Sequence, residues 1–161
     1  MFVIIACIGV HCGYYSFSGS SLPPHIRTLA IPVFENKTTE FGVPEDITDA
    51  LINEFTRDNS LKIVDQRTAD SIINGTILSI REQAGAYNVT EQVKEIKVFV
   101  SVQAKFEDIK KSKVLWEEQL TQWGTYRPDD PTAGNTTRQE AIREAITKIV
   151  ADIFNKTISG W

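Results

Sequence analysis

The segment VKEIKVFVSVQAKFED, residues 93–108, admits one local conformation. Ile96, Val98, Val100, Val102, Ala104 and Phe106 take every second position, and Lys97, Phe99, Ser101, Gln103 and Lys105 take the positions between. A period of two sends successive side chains to opposite faces, so this is a long strand with one buried face. Such a strand needs neighbours on both sides and a layer over its apolar face.

The neighbours are legible. SIINGTILSIREQAGAY, residues 71–87, precedes it as a second long strand with a bend expected at Gly75. VLWEEQLTQWGTY, residues 114–126, follows the turn IKKSK as a third. Trp116, Leu120 and Trp123 fall out of strict alternation there, which a bulge would reconcile. Upstream, Leu29, Ile31 and Val33 alternate with polar or small residues. Pro32 makes this an edge strand or marks its end. LKIVD, residues 61–65, is a further short strand, and ENKTTEFG, residues 35–42, reads as a polar turn.

Two amphipathic helices supply the covering layer. Pro44-Glu45-Asp46 opens the first, since proline suits the first helical turn and acids complement the N-terminal dipole. Ile47, Ala50, Leu51 and Phe55 form its apolar stripe, and it should stop near Asp58-Asn59. Thr137-Arg138-Gln139-Glu140 forms a capping box for the second. Its stripe is Ile142, Ala145, Ile146, Ile149, Val150 and Ile153, ending near Asn155. The expected architecture is an α+β two-layer sandwich in the order β-α-β-β-β-β-α. Both helices lie on one face of a mostly antiparallel or mixed sheet, and the other face is open.

The N-terminal 25 residues stand apart from this body. MFVIIACIGVH is too short to span a bilayer but matches the hydrophobic region of a signal peptide, assigned here to residues 1–11 with a truncated basic region. Residues 12–25 are rich in Gly, Ser, Tyr and Pro and read as an extended linker closed by Pro23-Pro24. Residues 26–161 form the single domain. Both cysteines, Cys7 and Cys12, fall in the leader region, so the body has no disulfide or thiolate chemistry.

Several function classes lose support. The net charge of −4 with a pI of about 5.2 does not suit a nucleic-acid binder. The two histidines, His11 and His25, lie in the leader and the linker, away from any nucleophile. No metal-ligand spacing or phosphate loop occurs, and no cofactor is called for. Asp129-Asp130 lacks the periodic ligands of a calcium loop. The charged run DIKKSK reads as a solvated turn. The triplets at Asn36, Asn74, Asn88, Asn135 and Asn155 match glycan acceptors only by chance. The open sheet face offers more. Arg81, Lys97 and Lys105 project from neighbouring strands with Phe99 between them, a set suited to an anionic amphiphile. Ordinary strand solubility is the competing explanation for the same residues.

The stretch CGYYSFSGSSLPPHIRTLAIPVFENKTTEFG resembles the mature N-terminus of the LPS-assembly lipoprotein family, LptE. The likeness continues through LINEFTRDNSLKIVD, ADSIINGTI, VLWEEQLTQWGTY and the closing helix. The resemblance implies an exported, non-enzymatic lipoprotein, acylated at Cys12 and held on the periplasmic side of the bacterial outer membrane. Its partners would be an LptD-type β-barrel, which it plugs and helps assemble, and lipopolysaccharide. His11 stands directly before Cys12, where lipoprotein signals carry a small residue, so Cys7, after Ile4-Ile5-Ala6, is the second choice for the lipid. The alternative is a free-standing periplasmic lipoprotein that binds a lipidic or other small ligand on its open face.

Overall fold

The computed structural model describes residues 22–87, 93–128, 130 and 134–159. The leader, Cys7, Cys12 and most of the linker lie outside them. The elements run β1 (Thr28–Ala30), β2 (Glu35–Asn36), α1 (Val43–Asp58), β3 (Lys62–Ile63), β4 (Ser71–Tyr87), β5 (Val93–Asp108), β6 (Lys113–Tyr126) and α2 (Arg138–Ser159). The fold is α+β, as expected, with a mixed six-stranded sheet ordered β3-β1-β4-β5-β6 and β2 added beside β4. β4, β5 and β6 form an antiparallel meander, while β1 pairs in parallel with both β3 and β4.

The alternation in β5 sets the layers. Val98, Val100, Val102, Ala104 and Phe106 are fully buried beneath the helices. Their cross-strand partners on the same face include Ile73 and Ile77 of β4 and Trp116 and Leu120 of β6. α2 lays Ile142, Ala145, Ile146, Ile149, Val150 and Ile153 onto this surface, and α1 packs beside it through Ile47, Leu51 and Phe55. The Phe55 and Phe154 rings meet edge to face at 5.0 Å and join the helices at one end.

The capping signals form as expected. Glu140 Oε2 accepts the N–H of Thr137 at 2.9 Å, and the Glu140 N–H is donated to Thr137 Oγ1 at 3.3 Å. α1 ends at Asn59, which adopts φ 61° and donates its N–H to the Phe55 carbonyl.

Four local expectations change. The polar turn after β1 contains the two-residue strand β2, held by a backbone bond from Lys37 to the Ile77 carbonyl. β1 stops at Ala30, two residues before Pro32, and is an interior strand rather than an edge. β4 keeps regular register at Gly75 and is irregular between Ile77 and Ser79, and again from Ala84 to Tyr87, instead. Gly75 answers a different need, because a Cβ there would stand 2.0 Å from the Phe34 ring. A bulge does occur in β6, at Leu115, but it does not bring Trp123 onto the core face. Trp123 has odd parity relative to Trp116 and Leu120 and faces the open side.

The N-terminal segment is fastened at one end of the sheet. Leu22 packs against the core, and the Ile26 N–H closes a turn on the Pro23 carbonyl at 2.9 Å. His25 Nε2 lies 2.6 Å from Oδ2 of the buried Asp108, whose Oδ1 accepts the Lys111 N–H. Burial disfavours the Asp108 carboxylate, but these bonds outweigh it and hold its pKa below the ordinary value. Asp70 pairs with Lys110 and accepts the N–H groups of Arg27 and Thr28, which lowers its pKa strongly. Two carboxylates thus bind the entry strand to the β5–β6 hairpin.

Candidate functional site

The open face is built from the positions of β4, β5 and β6 that the core does not use. Register places Arg81 opposite Phe99 and Phe99 opposite Trp123, so the three form one row across three strands. Lys97 is the next residue on this face, opposite Gln83 and Thr125. A shallow cleft of about 360 Å³ opens here, whose lining includes Arg81, Glu82, Gln83, Phe99, Ser101 and Thr121. Ser101 and Thr121 close its floor with a 2.8 Å hydroxyl–hydroxyl bond.

Arg81 is exposed and has no ion-pair partner among the described residues. Lys97 Nζ sits 4.7 Å from the centre of the Trp123 ring. A second ammonium, Lys148 of α2, reaches round the sheet edge to the same ring at 4.2 Å. Lys148 is already engaged, since it donates to Glu144 Oε1 and to the Trp123 carbonyl, each at 2.7 Å. Trp123 therefore holds one cation from each layer and remains 40% exposed. The row offers a guanidinium and an ammonium that form no salt bridge among the described residues, beside two aromatic rings. That chemistry suits a phosphate attached to an apolar body.

Lys105 does not join this row. It lies eight residues along β5 from Lys97, a separation of about 27 Å at strand rise. Its Nζ is 3.1 Å from Glu107 Oε2, which neutralises it locally. It lines a second, more polar cleft of about 470 Å³ with Asn74, Thr76, Gln103 and Glu117. Arg81, Lys97 and Phe99 are thus brought together, and Lys105 stands apart. Trp123 and Lys148 are members of the site that the sequence pattern does not single out. The parity of Trp123 against Trp116 is the available signal for the first; nothing local marks the reach of Lys148 round an edge.

No group of His, Cys, Asp or Glu among the described residues is placed to hold a metal ion. No helix among them is long and apolar enough to cross a membrane. Residues 26–157 match the family model of lipopolysaccharide-assembly LptE. The chain belongs to the LptE family. The match covers β1 through most of α2, so the open face lies wholly within the family region. No curated protein matches the sequence. Among solved structures, a hypothetical protein from Chlamydia trachomatis superposes with a TM-score of 0.57 at 10% identity, covering 82% of this chain and 98% of that one. PelC from Paraburkholderia phytofirmans, solved as a dodecamer, gives 0.56 at 13%, covering 83% and 90%. A minor lipoprotein from Acinetobacter baumannii gives 0.51 at 17%, covering 84% and 92%. At these identities the likeness extends to the fold alone.

Proposed function

We propose that this LptE-family chain is a non-enzymatic outer-membrane lipoprotein that plugs an LptD-type β-barrel and helps it deliver lipopolysaccharide to the outer leaflet. The carrying observation is the family match over residues 26–157, which takes in almost the entire folded body. Acylation falls on Cys12, with Cys7 as second choice, and the linker from Cys12 forms the tether, its last residues Leu22 to His25 being fastened to the domain. Several acyl chains on one residue give stable anchoring where one gives only marginal binding. The A. baumannii lipoprotein shows that a protein so described uses this fold. Lipopolysaccharide contact is assigned to Arg81 and Lys97, with Lys105 at a separate point on the same face.

Co-expression with the barrel encoded in the same genome tests the reading. A stoichiometric complex that survives detergent extraction is expected, and a chain that is stable alone and never copurifies with the barrel refutes it. The cleft beside Phe99 favours the second reading, a free-standing lipoprotein with a lipidic ligand, since its volume falls in the small-ligand range. That reading requires ligand binding without the barrel.

A further inference from the structure

The end of the domain where the N-terminal segment enters differs in charge from the whole. The chain carries a net charge of −4. Yet the β5–β6 turn presents Lys110, Lys111 and Lys113, and the adjoining starts of β1 and β3 add Arg27 and Lys62. The register holds them at one level: Thr28 is opposite Lys62, and Ser71 and Lys113 are both opposite Asp108. Asp108 is buried and committed to internal bonds, and Asp70 pairs with Lys110, which leaves Arg27, Lys62, Lys111 and Lys113 as the cations of this end. Lys111 and Lys113 are exposed, and neither ammonium forms a salt bridge among the described residues.

Two apolar side chains flank these cations. Ile109 is 38% exposed and Val114 is 44% exposed, on either side of the lysine turn. A solvated turn has no need of both. Ammonium groups beside protruding aliphatic residues match the headgroup and upper acyl layers of a bilayer.

We infer that the β5–β6 hairpin end is a membrane-facing surface that binds the anionic headgroups of phospholipid. The inference rests on the proposed anchor, because the anchor is what brings this end to the bilayer. The tether is short: from Cys12 to Leu22 it spans at most about 35 Å when fully extended. The bond between His25 and Asp108 then fixes the tether's end to the hairpin itself. The lysines therefore meet the leaflet that holds the acyl chains, and they orient the domain on it.

The test uses the full chain with Cys7→Ser and Cys12→Ser, so that no acyl chain contributes. It is cosedimented with vesicles of phosphatidylethanolamine alone or with a quarter phosphatidylglycerol. Binding that requires the anionic lipid and weakens with salt is expected. Lys111→Glu with Lys113→Glu should weaken it at least about 30-fold, from the usual contribution of two lysines near an anionic surface. Lys37→Glu with Arg143→Glu changes net charge equally, away from this end, and should leave binding within about twofold. The milder Lys111→Ala with Lys113→Ala covers the case in which the reversal disturbs the hairpin. Equal binding to neutral vesicles, or equal loss in the two charge-matched pairs, overturns the inference. Failure of Cys12 to take label from palmitate in cells would refute the anchor alone, because the vesicle assay contains no acyl chain.

Discussion

Gly124→Ala tests the layer contact on which the fold depends. β6 crosses beneath the first turns of α2 at Gly124, and a Cβ there would stand 2.0 Å from the Ala141 carbonyl oxygen and 2.8 Å from its carbon. Ordinary contact begins near 3.4 Å, so α2 has to retreat by about 1.4 Å at this point. The obstacle is backbone inside a helix, so no rotamer relieves it. Forcing a group into such a contact costs about 1–3 kcal/mol, and the upper end applies where nothing can rotate away. A loss of about 3 kcal/mol lowers the Tm of a domain this size by about 6–12 °C. Thermal unfolding followed by far-UV circular dichroism reads it directly. The sign is informative, because alanine in place of an uncrowded strand glycine stabilises by about 0.4–1 kcal/mol through the unfolded chain. Gly134→Ala, where a Cβ meets nothing within 4 Å, is the control and should leave the Tm within about 2 °C. A Gly124→Ala protein as stable as the parent would refute the layer spacing described here.

Other expectations concern single groups. Trp116 is buried and its indole N–H has no partner among the described residues; Trp116→Phe removes that donor and should change stability by less than about 1.5 kcal/mol despite its core position, as chemical denaturation will show. The pKa values of Asp70 and Asp108 are held below their unfolded values, so their contribution is complete above the ordinary carboxylate range and is lost as pH falls below about 3.8. The Tm should be flat from about pH 7 to 5 and drop below pH 4, and Asp70→Asn should lower the plateau and shrink the drop. Lipopolysaccharide affinity, measured by fluorescence titration, should fall more with Lys97→Glu or Arg81→Glu than with Lys105→Glu, because Glu107 already neutralises Lys105. Equal effects would remove the distinction between the two clefts. Metabolic labelling with palmitate should disappear with Cys12→Ala, and label lost only with Cys7→Ala would move the anchor.

Elements whose side chains follow a strict period are legible in the amino-acid sequence. The alternation in β5 declares both of its faces, and the capping box at Thr137 places the start of α2 to the residue. The short strands are another matter. β1, β2 and β3 carry two or three residues each, too few for a period, and their pairing is decided by partners far along the chain. Nothing in LKIVD says that Lys62 lies beside Thr28. The candidate site divides in the same way. Arg81, Lys97 and Phe99 follow from alternation along two strands, whereas the lateral alignment of Arg81 with Trp123 depends on irregularities at Leu78 and Leu115 that leave no local mark. Lys148 is invisible in the sequence because a long side chain crosses between layers, and residue spacing does not encode that reach.

The place of β1 in the sheet has a kinetic consequence. This strand comes first among the six, yet both of its hydrogen-bonding neighbours come later in the chain. It cannot be paired until β3 and β4 exist, and each pairing closes a loop of some thirty residues or more with its entropic cost. The contiguous meander with α2 needs no such wait. The N-terminal stretch is therefore the last part of the sheet to be locked.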